Sequence, residues 1–79
     1  MELKIKSTVV PMYPVESSDI SYIGYSENRL YIIFKKSGLY EFLNVPRETY
    51  EQMLISDSKG SFFFRNIRPL YKGIKIEKE

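Results

Sequence analysis

The stretch SKGSFFFRNIR, residues 58 to 68, gathers most of the side chains in this chain that could engage another molecule. Phe64 offers a ring on which a base can stack, Arg65 and Arg68 offer guanidiniums that grip phosphate through paired N–H donors, and Asn66 carries an amide able to read a base edge. Lys59 before the rings and Lys72 after them would add contacts for an anion. From Lys59 to Lys75 there are five basic residues and no acid, whereas Glu41 to Asp57 holds four acids and one base. Net charge is only +2, so attraction to a polyanion would come from this local segregation, and binding would be modest and strongly salt-dependent.

Bond-making chemistry is poorly supplied. With no His and no Cys, the usual general base, thiol nucleophile and soft metal ligands are missing. Glu16-Ser17-Ser18-Asp19 is the best acid cluster, and it reads most simply as a loop whose Ser and Asp side chains bond their own backbone. Ser58-Lys59-Gly60-Ser61 brings backbone N–H groups and a lysine to a helix start but lacks the spacing of a true phosphate loop, so it reads as a cap. Tyr22, Tyr25, Tyr31 and Tyr40 could form a sheet-borne aromatic platform, although such rings more often pack half-buried. No catalytic residue, metal site or cofactor is expected. The residues point to a binding module that contacts RNA or a nucleotide-like ligand, not to an enzyme.

The elements that must position these side chains follow from pattern. The chain has 79 residues, 43% apolar and 28% charged, enough for one small domain of thin stability. Residues 1 to 14 alternate Leu3 and Ile5 with Lys4 and Lys6 and end in two prolines, which suits an N-terminal arm or short strand. Residues 20 to 25, 30 to 34 and 39 to 43 read as an antiparallel meander. Leu30, Ile32 and Phe34 share one face and Tyr31 and Ile33 the other, so the second face is also apolar and calls for cover by the arm or by another subunit.

Asn44 is placed to cap a helix opened by Pro46, with Tyr50, Met53 and Leu54 facing the sheet and an end near Ser56. Asp57 or Ser58 would cap a second helix interrupted at Pro69. Phe63 and Ile67 then point together into the core, so Phe62 and Phe64 flank them and at least one ring lies on a boundary. The expected fold is α+β, a small antiparallel meander of three to four strands followed by two short helices. Residues 74 to 79 form a short tail in which Ile74 and Ile76 alternate as an added strand would.

These surplus apolar positions, Tyr31, Ile33, Phe62 and Phe64, motivate a second reading: a self-associating or partner-binding protein, such as a phage-encoded inhibitor or ligand-sequestering assembly. No run approaches the length of a membrane span and no signal peptide is visible, so a cytoplasmic, membrane-free protein is expected.

In order along the chain stand V-x-S-S-x-I (Val15 to Ile20), I-G-Y (Ile23 to Tyr25), L-x-I-x-F (Leu30 to Phe34), G-x-Y-x-F (Gly38 to Phe42), V-P (Val45 and Pro46), S-K-G (Ser58 to Gly60) and I-R-x-x-Y (Ile67 to Tyr71). Residues 15 to 73 thereby resemble the KTSC domain, named for its place at the carboxyl end of some lysyl-tRNA synthetases and also met as short free-standing bacterial and phage proteins. The resemblance implies a small antiparallel sheet with two following helices and, through the synthetases, contact with RNA. Ser56, Phe64 and Pro69 depart from the residues common in that family, Ala, Asn and Gly. Phe64 in place of a polar side chain adds apolar surface beside Arg68.

Overall fold

The structure, a computed structural model, describes residues 1–5 and 7–77. Six strands form one antiparallel sheet in sequence order: β1 (Glu2–Ile5), β2 (Thr8–Pro14), β3 (Ile20–Ser26), β4 (Arg29–Phe34), β5 (Gly38–Phe42) and β6 (Gly73–Lys75). Between β5 and β6 lie helix α1 (Arg47–Ile55), helix α2 (Lys59–Phe62) and a π-helical turn, Phe63–Ile67, that continues α2. The expected meander is therefore too small. Residues 1 to 14 supply two strands and residues 73 to 75 a third, bringing the sheet to six. The additional strands are short or proline-bearing, and each draws its order from pairing with a neighbour and not from a run of its own.

Local chemistry sets the turns. Glu27 and Asn28 both take positive φ, 50° and 62°, which matches the twist of a two-residue hairpin between β3 and β4. Gly38, at φ 90°, performs the corresponding service where β5 begins. Asn44 also has positive φ, 59°, and so turns the chain instead of capping α1; Pro46 occupies the cap position and no side chain bonds there. Ser56 closes α1, its N–H bonded to the Met53 carbonyl.

Two apolar clusters lie on opposite faces of the sheet. On the first, Ile20, Ile23, Leu30, Ile32 and Phe42 meet Tyr50 and Met53 of α1 and Phe63 and Ile67 of the π-helical turn. A register shift between Ile20 and Tyr22 lets β3 keep both Ile20 and Ile23 on that face. On the second, Ile5, Val10, Met12 and Tyr31 pack with Leu3, Ile33, Leu39 and Ile76. Because residues from β1 and from just beyond β6 enter one cluster, the sheet curls about it. Cover for Tyr31 and Ile33 thus comes from the arm: Tyr31 is 2% exposed and unavailable as the interface residue expected of it. Met12 lies over Gly24, where a Cβ would also stand 2.7 Å from the Pro11 carbonyl oxygen.

Among the described residues Glu41 is the one charged side chain in the interior. The Tyr31 hydroxyl donates to its Oε2 at 2.9 Å, and Arg29 Nη1 lies 3.6 Å from the same oxygen. Burial first, then the hydrogen bond and charge of Glu41, push the Tyr31 hydroxyl up to about 12, with Arg29 opposing.

Candidate ligand groove

The helical segment after α1 is built so that one ring of three is left outside. Ser58 Oγ accepts a hydrogen bond from the Ser61 N–H at 3.3 Å and so caps α2. The helix then widens: the Arg68 N–H reaches back five residues to the Phe63 carbonyl, at 2.9 Å. Pro69 has no N–H to return to the preceding turn, and the chain closes through Leu70 and Tyr71 N–H groups on the Ile67 carbonyl, at 3.1 and 2.9 Å. Phe63 is driven inward, edge-on to Phe34 and Phe42 with centroids 5.1 and 5.3 Å away. Phe62 is half-buried against the same cluster, and Phe64 remains 55% exposed.

Phe64 stands at the side of a groove of about 610 Å³ between this segment and the β4–β5 hairpin. The guanidinium of Arg68 sits over its ring, 5.4 Å from the centroid. Lys36, Tyr40 and Tyr71 form further walls, with Asp19 at one end. The hairpin is tied to this place because the Lys35 N–H donates to the Asp19 carbonyl at 2.9 Å. A smaller groove of about 380 Å³ continues past Asp19, Gly60 and Phe64, which line both. Its rim is Ser17, Ser18, Ser58 and Ser61 together with Glu16 and Asp57. Ser17 Oγ accepts from the N–H groups of Asp19 and Ile20, each at 3.3 Å, so Ser17 closes the loop before β3 as expected, whereas the Asp19 carboxylate takes no part in the turn.

Charge divides the two spaces. The larger carries Lys36 and Arg68 against Asp19. The smaller carries Glu16, Asp19 and Asp57 against Lys59, whose Nζ already donates to the Ser56 carbonyl at 3.1 Å. Phosphate is therefore favoured in the first and repelled from the second. Flat rings beside a guanidinium and an ammonium can stack a planar ligand and hold an attached anion.

Of the expected contact residues, Phe64 and Arg68 meet in the larger groove. Lys59 is half-buried in the smaller, more acidic one, which makes it a poor phosphate contact. Arg65 and Asn66 are exposed but line neither space, and the Asn66 amide donates back to the Phe62 carbonyl at 3.3 Å. Lys72 lies after the helical course has ended, exposed and just before β6. Sequence reasoning did not find Lys36 or Tyr71 as groove residues, since only the hairpin and the return of the chain toward β6 bring them to Phe64. Asp19 was seen as part of a loop; its place opposite Gly60 needed the fold. The tyrosines whose hydroxyls are raised, Tyr25 and Tyr50 by burial as well as Tyr31, stand outside the groove.

A small curled antiparallel sheet, with a capped helical segment across one face and a groove at their seam, defines a compact α+β domain class. Within that class the KTSC domain model matches residues 16–71, and the chain belongs to the KTSC domain family. The crystal structure of a KTSC domain protein from Yersinia pestis superposes with a TM-score of 0.83 at 36% identity, covering 86% of this chain and 99% of that one. A protein of Tsukamurella paurometabola is 31% identical over 67 residues, which are 82% of this chain and all of the relative. Among the described residues, no helix is long and apolar enough to cross a membrane.

Proposed function

We propose that this KTSC domain is a non-catalytic binding module that takes RNA or a nucleotide-like ligand in the larger groove. A base would stack on the outward face of Phe64 and against Tyr40 or Tyr71, with phosphate between Arg68 and Lys36. One observation carries the reading: Phe64 is held 55% exposed, under a guanidinium, at a groove that also offers a second cation and two further rings. A ring kept at the surface forgoes burial worth roughly 1.5–3 kcal/mol, and contact with a planar ligand gives it a use. Arg65 would add charge along the approach without touching the base.

The test is a titration of fluorescein-labelled single-stranded RNA at low salt, followed by anisotropy. Lys36→Glu with Arg68→Glu should abolish binding while leaving the circular dichroism spectrum intact. For the wild type, log Kd should rise with log salt at a slope of roughly 0.7 per phosphate held. Undiminished binding by the folded double variant would refute the site.

Self-association or partner binding stands second. Of its four expected interface residues, Tyr31 is buried and Ile33 and Phe62 are half-buried, leaving Phe64 at the surface. Light scattering at high concentration tests it, since a strict monomer removes the oligomeric version.

A further inference from the structure

We infer that Asp19 makes this groove selective for ribose over deoxyribose, so that the ligand is a ribonucleotide unit in a single strand. The inference rests on the reading above and deepens it. Asp19 is exposed where the two grooves join, and its carboxylate, which receives no hydrogen bond and no ion pair from any described residue, is open to accept from a ligand. A carboxylate only accepts. Placed against phosphate it repels, so whatever part of a ligand lies beside it must bring donors.

Asp19, Phe64, Arg68 and Lys36 line one groove, so a nucleotide seated there by its base and its phosphate would present its sugar to the remaining polar lining, which includes Asp19. Phe64 takes the ring, Arg68 and Lys36 take the phosphate, and the part that links base to phosphate is the sugar. The space beside Asp19 is polar and acidic, with the Ser17 hydroxyl next to it. Ser17 Oγ already accepts two backbone N–H groups, which leaves its own proton to donate. Gly60 faces both polar atoms: a Cβ at its position would lie 3.8 Å from Asp19 Oδ2 and from Ser17 Oγ, at ordinary van der Waals contact. The 2′-hydroxyl donates and accepts, and it is the group by which RNA differs from DNA at such a position. Acidic side chains that accept from a ribose hydroxyl are a general solution to sugar recognition.

The experiment compares labelled RNA, DNA and 2′-O-methyl RNA of one short mixed sequence, by anisotropy at low salt, on the full chain. Wild type should favour RNA over DNA by about tenfold, the worth of one net hydrogen bond to a charged group. The 2′-O-methyl strand keeps the RNA backbone but cannot donate, so it should bind as DNA does. Asp19→Ala should remove the preference and bind DNA at least as tightly as wild type does, because a charge that repels phosphate has gone. Asp19→Asn, which keeps the shape, should show a reduced preference. Since the Asp19 carboxylate holds no internal hydrogen bond, both variants should melt with the wild type. Equal binding of RNA and DNA by wild type, or an unchanged preference in a folded Asp19 variant, overturns the inference while leaving the groove standing. Binding of none of the three strands by wild type overturns the proposed function itself.

Discussion

Phe63 and Phe64 are chemically identical neighbours with opposite surroundings, and replacing each by alanine separates what holds this fold from what the fold presents. Phe63 is 7% exposed and packs edge-on against Phe34 and Phe42, so Phe63→Ala removes a buried ring and leaves a cavity, at a cost of about 3–5 kcal/mol. A domain of this length has only about 4–12 kcal/mol in total, and Phe63→Ala should unfold at much lower urea or not fold at all. Phe64 is 55% exposed and touches Phe63 only edge-on, at 5.9 Å between centroids. Its replacement should cost less than about 1 kcal/mol yet remove a stacking surface worth about 1–3 kcal/mol per base, a loss of roughly five- to 150-fold in affinity for single-stranded RNA. Urea unfolding followed by circular dichroism, and anisotropy titration on the same samples, read both quantities. Two results would refute the reasoning: a Phe64→Ala protein as destabilised as Phe63→Ala, or one that binds RNA as wild type does.

Two further expectations concern the second cluster. Tyr31→Phe strips the buried Glu41 carboxylate of its 2.9 Å donor and should cost about 1.5–3 kcal/mol at neutral pH. Because the Tyr31 hydroxyl is raised from 10.0 to about 12 in the fold, its contribution is fully present below pH 10 and is lost as pH rises through about 12; the wild-type advantage over Tyr31→Phe should therefore shrink across that window, and urea midpoints at pH 8, 10 and 11.5 would show whether it does. Gly24→Ala sets a methyl against Met12 and 2.7 Å from the Pro11 carbonyl oxygen, an overpacking worth about 1–3 kcal/mol. Thermal melts should place that variant roughly 5–15 °C below wild type.

The centre of this molecule was legible because its residues agree at every level. Leu30, Ile32 and Phe34 alternate with Tyr31 and Ile33, the hairpin turns carry Asn28 and Gly38, which tolerate positive φ, and both faces of β4 came out as the alternation requires. The edges were harder to read. β6 is three residues long and Pro11 and Pro14 interrupt the pattern of β2, so neither declares itself without the strand beside it. Asn44 illustrates a competition that sequence cannot decide. The same short amide that caps helices also tolerates the left-handed region, and here the need to turn the chain out of β5 prevailed.

The same distinction separates the parts of the candidate site. Phe64 and Arg68 lie four positions apart on one helical course, so local periodicity was enough to bring ring and guanidinium together. Lys36 and Asp19 reach them only through contacts between distant segments: the Lys35 N–H on the Asp19 carbonyl fixes the hairpin to the loop before β3, and Gly60 of α2 lies against Asp19 and Ser17 of that loop. Charge gathered along the chain also differs from charge gathered in space, for Lys59 lines the smaller groove beside Glu16, Asp19 and Asp57. Lys59 and Arg68 stand on one helical course yet line different grooves, and the cation that joins Arg68 comes from residue 36. A contact surface assembled this way depends on the sheet as much as on the helix, so substitutions that loosen the β4–β5 hairpin should weaken RNA binding without altering a single residue of the FFF run.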